Sequence, residues 1–277
     1  MRQRKAKSVV REYVEAFIFA IVLALVMRQF VVQAFKIPSS SMETTLLVGD
    51  HILVNKFLYY FTLPQRLDIV VFKFPWEEDR DFIKRVIGLP GDRVQVRDRQ
   101  VLVNDRPLQE PYAHYMANPR SDTFGPIVVP KKGDRIEIRS DKRLYLNGEL
   151  VPIPSNPYDQ SGRFQPQNGG ARMTGFEVFY GRLFSQDQDT TLPHTLEPHP
   201  EVTVKHDYYF VLGDNRDNSQ DSRYWGFVRS TRLKGRAFFI YWSWDCAGSF
   251  WSWDCAGSLV HHIRLDRLGK LLDLPAS

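Results

Sequence analysis

The sequence predicts a mainly β protein: a principal β-rich domain with a satellite β insertion, behind one N-terminal transmembrane helix. Three observations carry this. Short runs rich in Val, Ile and Phe recur between Gly, Pro and polar turn signals. Long amphipathic helical runs are absent behind the N-terminal segment. One apolar run follows a basic cluster at the N-terminus. With 277 residues, 43% hydrophobic and 25% charged, the chain is too apolar for disorder and has material for one large or two modest domains. Two cysteines exclude a disulfide framework and a four-thiolate zinc module.

The first eleven residues hold Arg2, Arg4, Lys5, Lys7 and Arg11, and the unbroken apolar run 16–27 follows. Twelve residues rise about 18 Å as a helix, too little for a hydrocarbon core of about 30 Å. Counting 13–34 gives enough length, with Glu15 and Arg28 near opposite interfaces, where both side chains snorkel. A cleavable signal peptide is the second reading, but Gln33, Ala34, Phe35 and Lys36 form no small-residue cleavage site. A buried soluble helix is the third. The preferred reading is an uncleaved anchor in a lipid bilayer. Residues 1–12 then form a cytoplasmic basic N-terminus, and everything after about residue 35 lies outside the cytoplasm. The net charge of +5 serves orientation, and no nucleic-acid partner is expected.

Strands are expected at 51–56 (HILVNK), 68–74 (DIVVFKF), 81–88 (DFIKRVIG), 208–212 (YYFVL) and 235–244 (GRAFFIYWSW). Residues 91–97 (GDRVQVR) and 133–139 (GDRIEIR) form a faint repeat. Each precedes an apolar strand and a turn signal, VLVNDRPL and LYLNGELV, so two similar hairpins are expected to stack in one satellite sheet. Residues 155–200 read as an irregular excursion rich in Pro, Gln, Asp and Gly. WSWDCAGS occurs at 242–249 and again at 251–258. A tandem duplication extending the last strand is preferred there over a Cys246–Cys255 disulfide. The resulting division is 35–94 with 205–258 for the principal domain, 95–204 for the insertion and 259–277 for an amphipathic tail on a surface or membrane.

The motifs HExxH, GxxxxGK[ST] and GxSxG are missing, and none of the seven histidines has triad or metal spacing. No metal and no cofactor are expected. Two segments stand out: 35–50 (FKIPSSSMETTLLVGD), with three serines after a proline, and 213–225 (GDNRDNSQDSRYW). The first reads equally as a hydroxyl-rich linker. The second resembles a calcium loop only weakly, lacking the terminal bidentate Glu. If packed, it must satisfy its polar groups internally. Between them Lys84 sits among Phe82, Ile83, Val86 and Ile87. Burial of its amine on the core side lowers its pKa, and a neutral amine takes a proton from a serine hydroxyl. The plainer alternative is a lysine pointing to solvent.

These segments, in this order, resemble the bacterial type I signal peptidases (leader peptidases), a membrane-anchored Ser–Lys protease family. The resemblance covers about half of the chain: the anchor, FKIPSSSMETTLLVGDHILVNKF, DIVVFKFPWEEDRDFIKRVIGLPGD, YYFVLGDNRDNSQDSRYWGFV and GRAFFIYWSWD. It implies Ser41 as nucleophile and Lys84 as general base. It implies an oxyanion hole from the Ser41 amide and the Ser39 hydroxyl, Ser219 as the residue orienting the lysine, and Asp221 and Arg223 as a supporting pair. Phe35, Ile37, Phe82 and Ile83 become candidates for shallow pockets that admit Ala-x-Ala sites. The implied partners are signal-peptide-bearing preproteins and the bilayer. The implied location is the bacterial inner membrane, with a cytoplasmic N-terminus and the catalytic domain on the extracytoplasmic face. Thr44 stands where the family usually has Pro, and Ser40 where it often has Gly. A self-cleaving repressor would carry a helix-turn-helix in place of the anchor. A peptidase dedicated to one secreted pilin-like substrate and an inert membrane-anchored scaffold complete the alternatives.

Overall fold

A computed structural model describes residues 9–26, 31–77, 79–116, 123–152, 163–164, 173–174, 179–180, 183, 198–245 and 263–272. The chain is mainly β. Helix α1 (Val9–Val26) is followed by β1 (Val32–Lys36), β2 (Asp50–Asn55), β3 (Ile69–Lys73) and β4 (Asp81–Gly88). Then come β5 (Arg93–Arg97), β6 (Gln100–Val103), β7 (Arg106–Pro107), β8 (Phe124–Val128), β9 (Arg135–Ile138), β10 (Leu144–Leu146) and β11 (Glu149–Leu150). Two-residue strands β12 (Arg163–Phe164) and β13 (Met173–Thr174) precede β14 (His199–Thr203) and β15 (Tyr208–Leu212). A short helix α2 (Ser222–Trp225), β16 (Val228–Arg229) and the long β17 (Leu233–Ser243) complete the regular elements.

The principal sheet runs β1-β2-β17-β3-β4-β15-β16, with antiparallel pairing throughout. The late strand β17 inserts between β2 and β3, so the two ends of the chain close one sheet. β3 is buried over Ile69–Phe72, and β4 from Ile83 onward, because both faces of the sheet are covered. On one side lie Ile37, Met42, Leu46, Ile52, Val54, Ile69, Val71 and Ile83. On the other lie Val70, Phe72, Val86, Tyr209, Val211, Trp225 and Val228.

The GDR repeat is visible in the structure, but its hairpins do not share one sheet. β7-β6-β5-β8 and β11-β10-β9-β14 are two separate four-stranded sheets. They share a core, which also takes in Ile87, Phe210, Leu212 and Phe227 from the principal part. Period-two alternation in each hairpin needs an opposite apolar layer, and the two sheets supply it to each other.

A tight turn explains the Gly-Asp pairs. In 47–50, 65–68, 89–92 and 131–134 the first residue's amide donates to the Asp carboxylate, at 2.8, 3.0, 2.6 and 2.9 Å. The Asp amide donates back to the first residue's carbonyl in all four. The third residue has φ of 89° at Gly49, 76° at Leu67, and 90° at Gly91 and Gly133, as a type II turn requires. Its amide and the Asp carbonyl then pair with Ile37, Val86, Val129 and Val204 respectively. Asn104 and Asn147 elaborate the last two turns identically. Each side chain donates to the Asp carboxylate and accepts from the amide of Arg93 or Arg135.

Two expectations change. The segment 13–34 is not one helix: α1 ends at Val26, and Val32, Gln33 and Ala34 pair with Asn55, Val54 and Leu53 in the sheet. Among the described residues no helix is long and apolar enough to cross a membrane. Arg11, Glu12 and Glu15 in the first turns of α1 dilute its hydropathy. The tail 259–277 is not an amphipathic helix over its described part, 263–272. It has a single 3-10 turn, Leu265–Arg267, and two bridges, Ile263 to Trp244 and Leu271 to Phe239. Arg267 is buried, which a surface helix would not allow. Cys246, Cys255, the second WSWDCAGS copy and most of 155–200 lie outside the described residues, while Trp242 and Ser243 of the first copy extend β17.

The four turns share a backbone but not surroundings. A Cβ on Gly49 would stand 1.7 Å from the Trp244 carbonyl oxygen, whereas one on Gly133 meets nothing within 4 Å. Gly133→Ala is expected to lower stability by about 1 kcal/mol, from the left-handed φ alone. Gly49→Ala should lower it by about 3 kcal/mol or more, since the backbone must also shift. Urea unfolding of both variants checks this, and equal losses would contradict it.

Candidate active site

The segment between β1 and β2 turns sharply after Pro38. Ser39 has extended backbone and begins the 3-10 turn Ser40–Met42. Met42 is fully buried in the core and fixes the turn. That placement sets Ser41, 8% exposed, against the middle of β4. There Lys84, 2% exposed, directs Nζ to Ser41 Oγ at 2.6 Å, with a second bond to the Ile83 carbonyl at 3.0 Å. Burial pulls the lysine pKa down to about 8, and Arg223 adds to the shift, while Asp221 and Asp214 oppose it. Among the described residues no carboxylate forms an ion pair with Lys84. Once the amine is neutral, the 2.6 Å contact reverses: the hydroxyl donates to the nitrogen lone pair, the arrangement needed to activate a serine.

The loop after β15 holds this pair from the far side. Asn215 donates its backbone amide to the Ser41 carbonyl at 3.1 Å, and its side chain to the Ser40 carbonyl at 3.1 Å and Glu43 at 3.3 Å. Asn218 donates to Ser40 Oγ at 2.9 Å. Thr45 Oγ1 donates to Asp214 Oδ2 at 2.6 Å. Asp214 is fully buried and takes a bidentate pair from Arg85, at 2.8 and 2.5 Å. Gly213 is required for space: a Cβ there would lie 2.1 Å from Ser219 Oγ and 2.5 Å from the Ser41 carbonyl oxygen.

The structure brings Ser39, Ser41, Lys84, Ser219, Asp221 and Arg223 into one region. Ser39 Oγ lies 3.5 Å from Ser41 Oγ. Asp221 and Arg223, both at 0% exposure, form a bidentate pair with two 2.9 Å bonds, and Asp221 also accepts the Gly213 amide at 3.1 Å. Burial alone would raise the Asp221 carboxyl; the Arg223 guanidinium beside it holds it below the usual carboxylate range. The expected Ser219–Lys84 hydrogen bond is not formed. Ser219 Oγ is buried against Gly213 without a hydrogen-bond partner, although its hydroxyl lies near enough to favour the Asp221 carboxylate.

The four pocket candidates divide. Ile37 and Ile83 are buried in the same cluster as Met42, with Phe35 packed against it. Phe82 faces the other side from Ile83, with its ring 4.5 Å from Phe74 and 6.4 Å from Phe72, and shares the face of Lys84, whose Nζ lies 5.7 Å from the Phe82 ring centroid. Among the described residues no group of His, Cys, Asp and Glu is arranged to hold a metal ion.

Sequence reasoning missed Arg85, Asp214, Asn215, Asn218 and Thr45. A signal was present for four of them. Arg85 adjoins Lys84, and the other three of that set lie inside the polar run 213–223, whose density demanded internal partners. Thr45 carried no such signal.

The family model described as signal peptidase, peptidase S26, matches residues 10–130 and 127–242. Signal peptidase I of Aquifex aeolicus (strain VF5) is 35% identical over 232 residues, 82% of each chain. Signal peptidase I of Pseudomonas aeruginosa is 32% identical over 255 residues, 84% of this chain and 72% of that one. A crystal structure of a signal peptidase I from Enterococcus faecalis V583 is 26% identical and covers 63% of this chain and 97% of its own, with a TM-score of 0.30.

Lys84 and Arg85 are neighbours in one strand, both buried, one without a carboxylate partner and one paired. Arg85→Met strands the Asp214 charge and is expected to destabilise by about 3–5 kcal/mol. Lys84→Met at pH 7 removes a buried ammonium and leaves stability within about 1 kcal/mol of the parent or above it. Thermal or urea unfolding of both variants decides, and a larger loss for Lys84→Met would contradict this electrostatic account.

Proposed function

We propose a function from one premise: the chain belongs to the signal peptidase, peptidase S26, family. It is a peptidase that removes signal peptides from preproteins, a membrane-bound serine endopeptidase acting after small residues of Ala-x-Ala sites. Ser41 is the nucleophile and Lys84 the general base. The observation that carries this is the 2.6 Å Lys84–Ser41 contact, buried and without a carboxylate in contact with the amine.

Ser41 Oγ attacks the scissile carbonyl carbon while its proton passes to neutral Lys84 Nζ. The oxyanion is stabilised by the Ser41 amide and the Ser39 hydroxyl, 3.5 Å from Ser41 Oγ. As the C–N bond breaks, the Lys84 ammonium gives its proton to the leaving amine. Water then attacks the acyl ester, again losing a proton to Lys84, and that proton returns to Ser41 Oγ as the ester opens. No histidine is needed. Asp221 and Arg223 brace the loop behind the pair. Ile37, Ile83 and Phe35 beside Met42, and Phe82 beside Lys84, line the small-residue pockets, with an extended substrate strand alongside.

The bilayer holds the site where signal peptides arrive. Tyr13, Phe17, Ile18, Phe19 and Val22 of α1 are 52–73% exposed, and 18 helical residues rise about 27 Å. The same end of the sheet carries an exposed aromatic loop with Phe57, Tyr60, Phe61 and Leu63, next to the chain leaving α1 through the Lys56–Val31 hydrogen bond. An apolar helix and an exposed apolar loop each suit a lipid surface. The basic N-terminus stays on the cytoplasmic side, in an inner-membrane location with the catalytic part outside.

The detergent-purified protein is expected to cleave a preprotein with an Ala-x-Ala site, and Ser41→Ala and Lys84→Ala to be folded and silent. A Ser41→Ala variant that still cleaves would sink the assignment. The base works deprotonated, so the rate should fall about tenfold per pH unit below the lysine pKa of about 8 and level off above it. A rate flat from pH 5 to 9 would remove Lys84 from the role.

A further inference from the structure

Residues 110–116 leave the satellite sheets and cross the outside of the loop that follows β15. Their backbone docks as a parallel bridge: the His114 amide donates to the Asp214 carbonyl at 2.7 Å, and the Arg216 amide donates to the His114 carbonyl at 2.9 Å. The Met116 amide donates to Asp217 Oδ2 at 2.7 Å. The side chains reach two of the buried arginines of the site, Arg216 and Arg85. Arg216, 1% exposed, donates to Glu110 at 2.5 and 3.2 Å and to Tyr115 Oη at 3.3 Å. Tyr112, also buried, places its ring 3.9 Å from the Arg85 guanidinium and donates its hydroxyl to Glu110 at 3.0 Å. Arg85 in turn holds Asp214.

The consequence runs straight to the nucleophile. Arg216 Nε donates to the Gly213 carbonyl at 3.0 Å, and the Arg216 carbonyl accepts from Arg223 at 2.6 Å. Between those anchors lie Asp214, which grips Thr45, and Asn215, which grips Ser40 and Ser41. The loop therefore holds its shape only while the Arg216 charge has a buried counter-charge. That carboxylate comes from Glu110, more than a hundred residues earlier and outside the sheet that carries Ser41 and Lys84.

We propose that 110–116 is a strap from the satellite region that completes the active site, with Glu110 as its positioning residue. Glu110 touches neither substrate nor reacting atoms. It sets Arg216, and through Gly213, Asp214 and Asn215 it sets the distance between Ser41 and Lys84 and the exclusion of water from the amine. The satellite region is thereby a working part of the catalytic unit. The proposal rests on Ser41 and Lys84 as the reacting pair.

The test compares Glu110→Gln, Glu110→Asp and Ser41→Ala on one Ala-x-Ala preprotein in detergent, reading kcat, KM and the pH profile. The groups bearing on the Lys84 amine are Asp214 with its partner Arg85, next to Lys84 in β4, and Asp221 with its partner Arg223. Glu110→Gln changes none of these, so a moved profile reports a loosened loop. Expected for Glu110→Gln are a kcat at least tenfold lower, a KM within twofold, and an acid limb displaced upward by half a pH unit or more as water reaches the amine. Glu110→Asp should recover part of the kcat. A folded Glu110→Gln enzyme with parental kcat and limb overturns the strap. So does a loss of rate matched by a loss of folded protein with the limb unmoved. Should Glu110→Gln not fold, Tyr112→Leu leaves the Glu110–Arg216 pair in place. It is expected to move the limb the same way and lower kcat at least threefold; parental values there overturn the strap. Ser41→Ala separates the two layers: silence keeps the reacting pair and leaves Glu110 to decide the strap, whereas cleavage overturns both.

Discussion

A lysine amine taken out of water with no carboxylate against it is the constraint to which the rest of the site answers. Lowering a lysine from 10.5 to about 8 represents about 3 kcal/mol against the folded protein. The sign follows from linkage. Below about pH 8 the amine is protonated in both folded and unfolded chains, and the full penalty is present; it fades as pH rises toward 10.5. Two acids, Asp214 and Asp221, lie near enough to restore the ammonium. Each is instead held bidentate by its own arginine, Arg85 and Arg223. The guanidiniums offset the field of the acids and leave desolvation as the dominant influence on Lys84. Remove an arginine and the carboxylate does more than lose a partner: its field then favours the charged form of the lysine.

The same constraint accounts for the polarity of the loop after β15. A buried neutral amine needs a dry wall, and a dry wall made of loop must satisfy its own backbone. Asp214, Asn215, Arg216, Asn218, Asp221, Ser222 and Arg223 each have assigned partners, from Thr45 and Ser40 to Glu110 and the Val211 amide. An apolar loop of the same shape would keep the backbone bond to the Ser41 carbonyl but lose the Asn215 and Asn218 side-chain bonds to the Ser40 carbonyl and hydroxyl. The polar run is therefore a largely self-paired scaffold of which little faces solvent, with Ser219 Oγ and Asn215 Oδ1 its buried atoms left without a hydrogen bond.

What the sequence displayed was local, and what it concealed was distance. The β-rich runs around Lys84 and Tyr209 were legible from composition and turn signals, as was the dense loop. The turn at 65–68 was concealed because Leu67 takes the position that Gly49, Gly91 and Gly133 fill, so only two copies of a fourfold device showed as GDR. Glu110 was concealed because an ion pair spanning more than a hundred residues has no spacing to recognise. The end of α1 was misplaced because Val31, Val32 and Ala34 suit a membrane segment and an edge strand equally well; pairing with β2 decides in favour of the strand. The role of the tail was concealed because nothing in its amphipathic pattern marks Arg264 and Arg267 as partners of a distant segment. Both turn inward: Arg267 pairs with Asp50, and Arg264 bonds Ser243 and the Val48 carbonyl.

That inward turn bears on one departure of the segment 35–50 from the pattern it resembles. A proline at position 44 would stiffen the chain after Ser41 by fixing φ. Thr44 cannot do so, and it is exposed. Stiffness arises one residue later instead. Thr45 gives its hydroxyl to Asp214 and takes Arg267 on its carbonyl at 2.9 Å. The Leu46 amide closes on Met42 at 2.8 Å, and the Leu47 amide on Asp50 at 2.8 Å. Asp50 is locked by Arg267 and by Ser243 Oγ at 2.6 Å. Two buried arginine–carboxylate pairs, Arg85–Asp214 and Arg267–Asp50, thus grip Thr45 from opposite sides. One comes with the lysine strand and the other with the C-terminal tail. A covalent ring at residue 44 and a clamp at residue 45 are alternative ways of removing the same backbone freedom, and this chain uses the clamp.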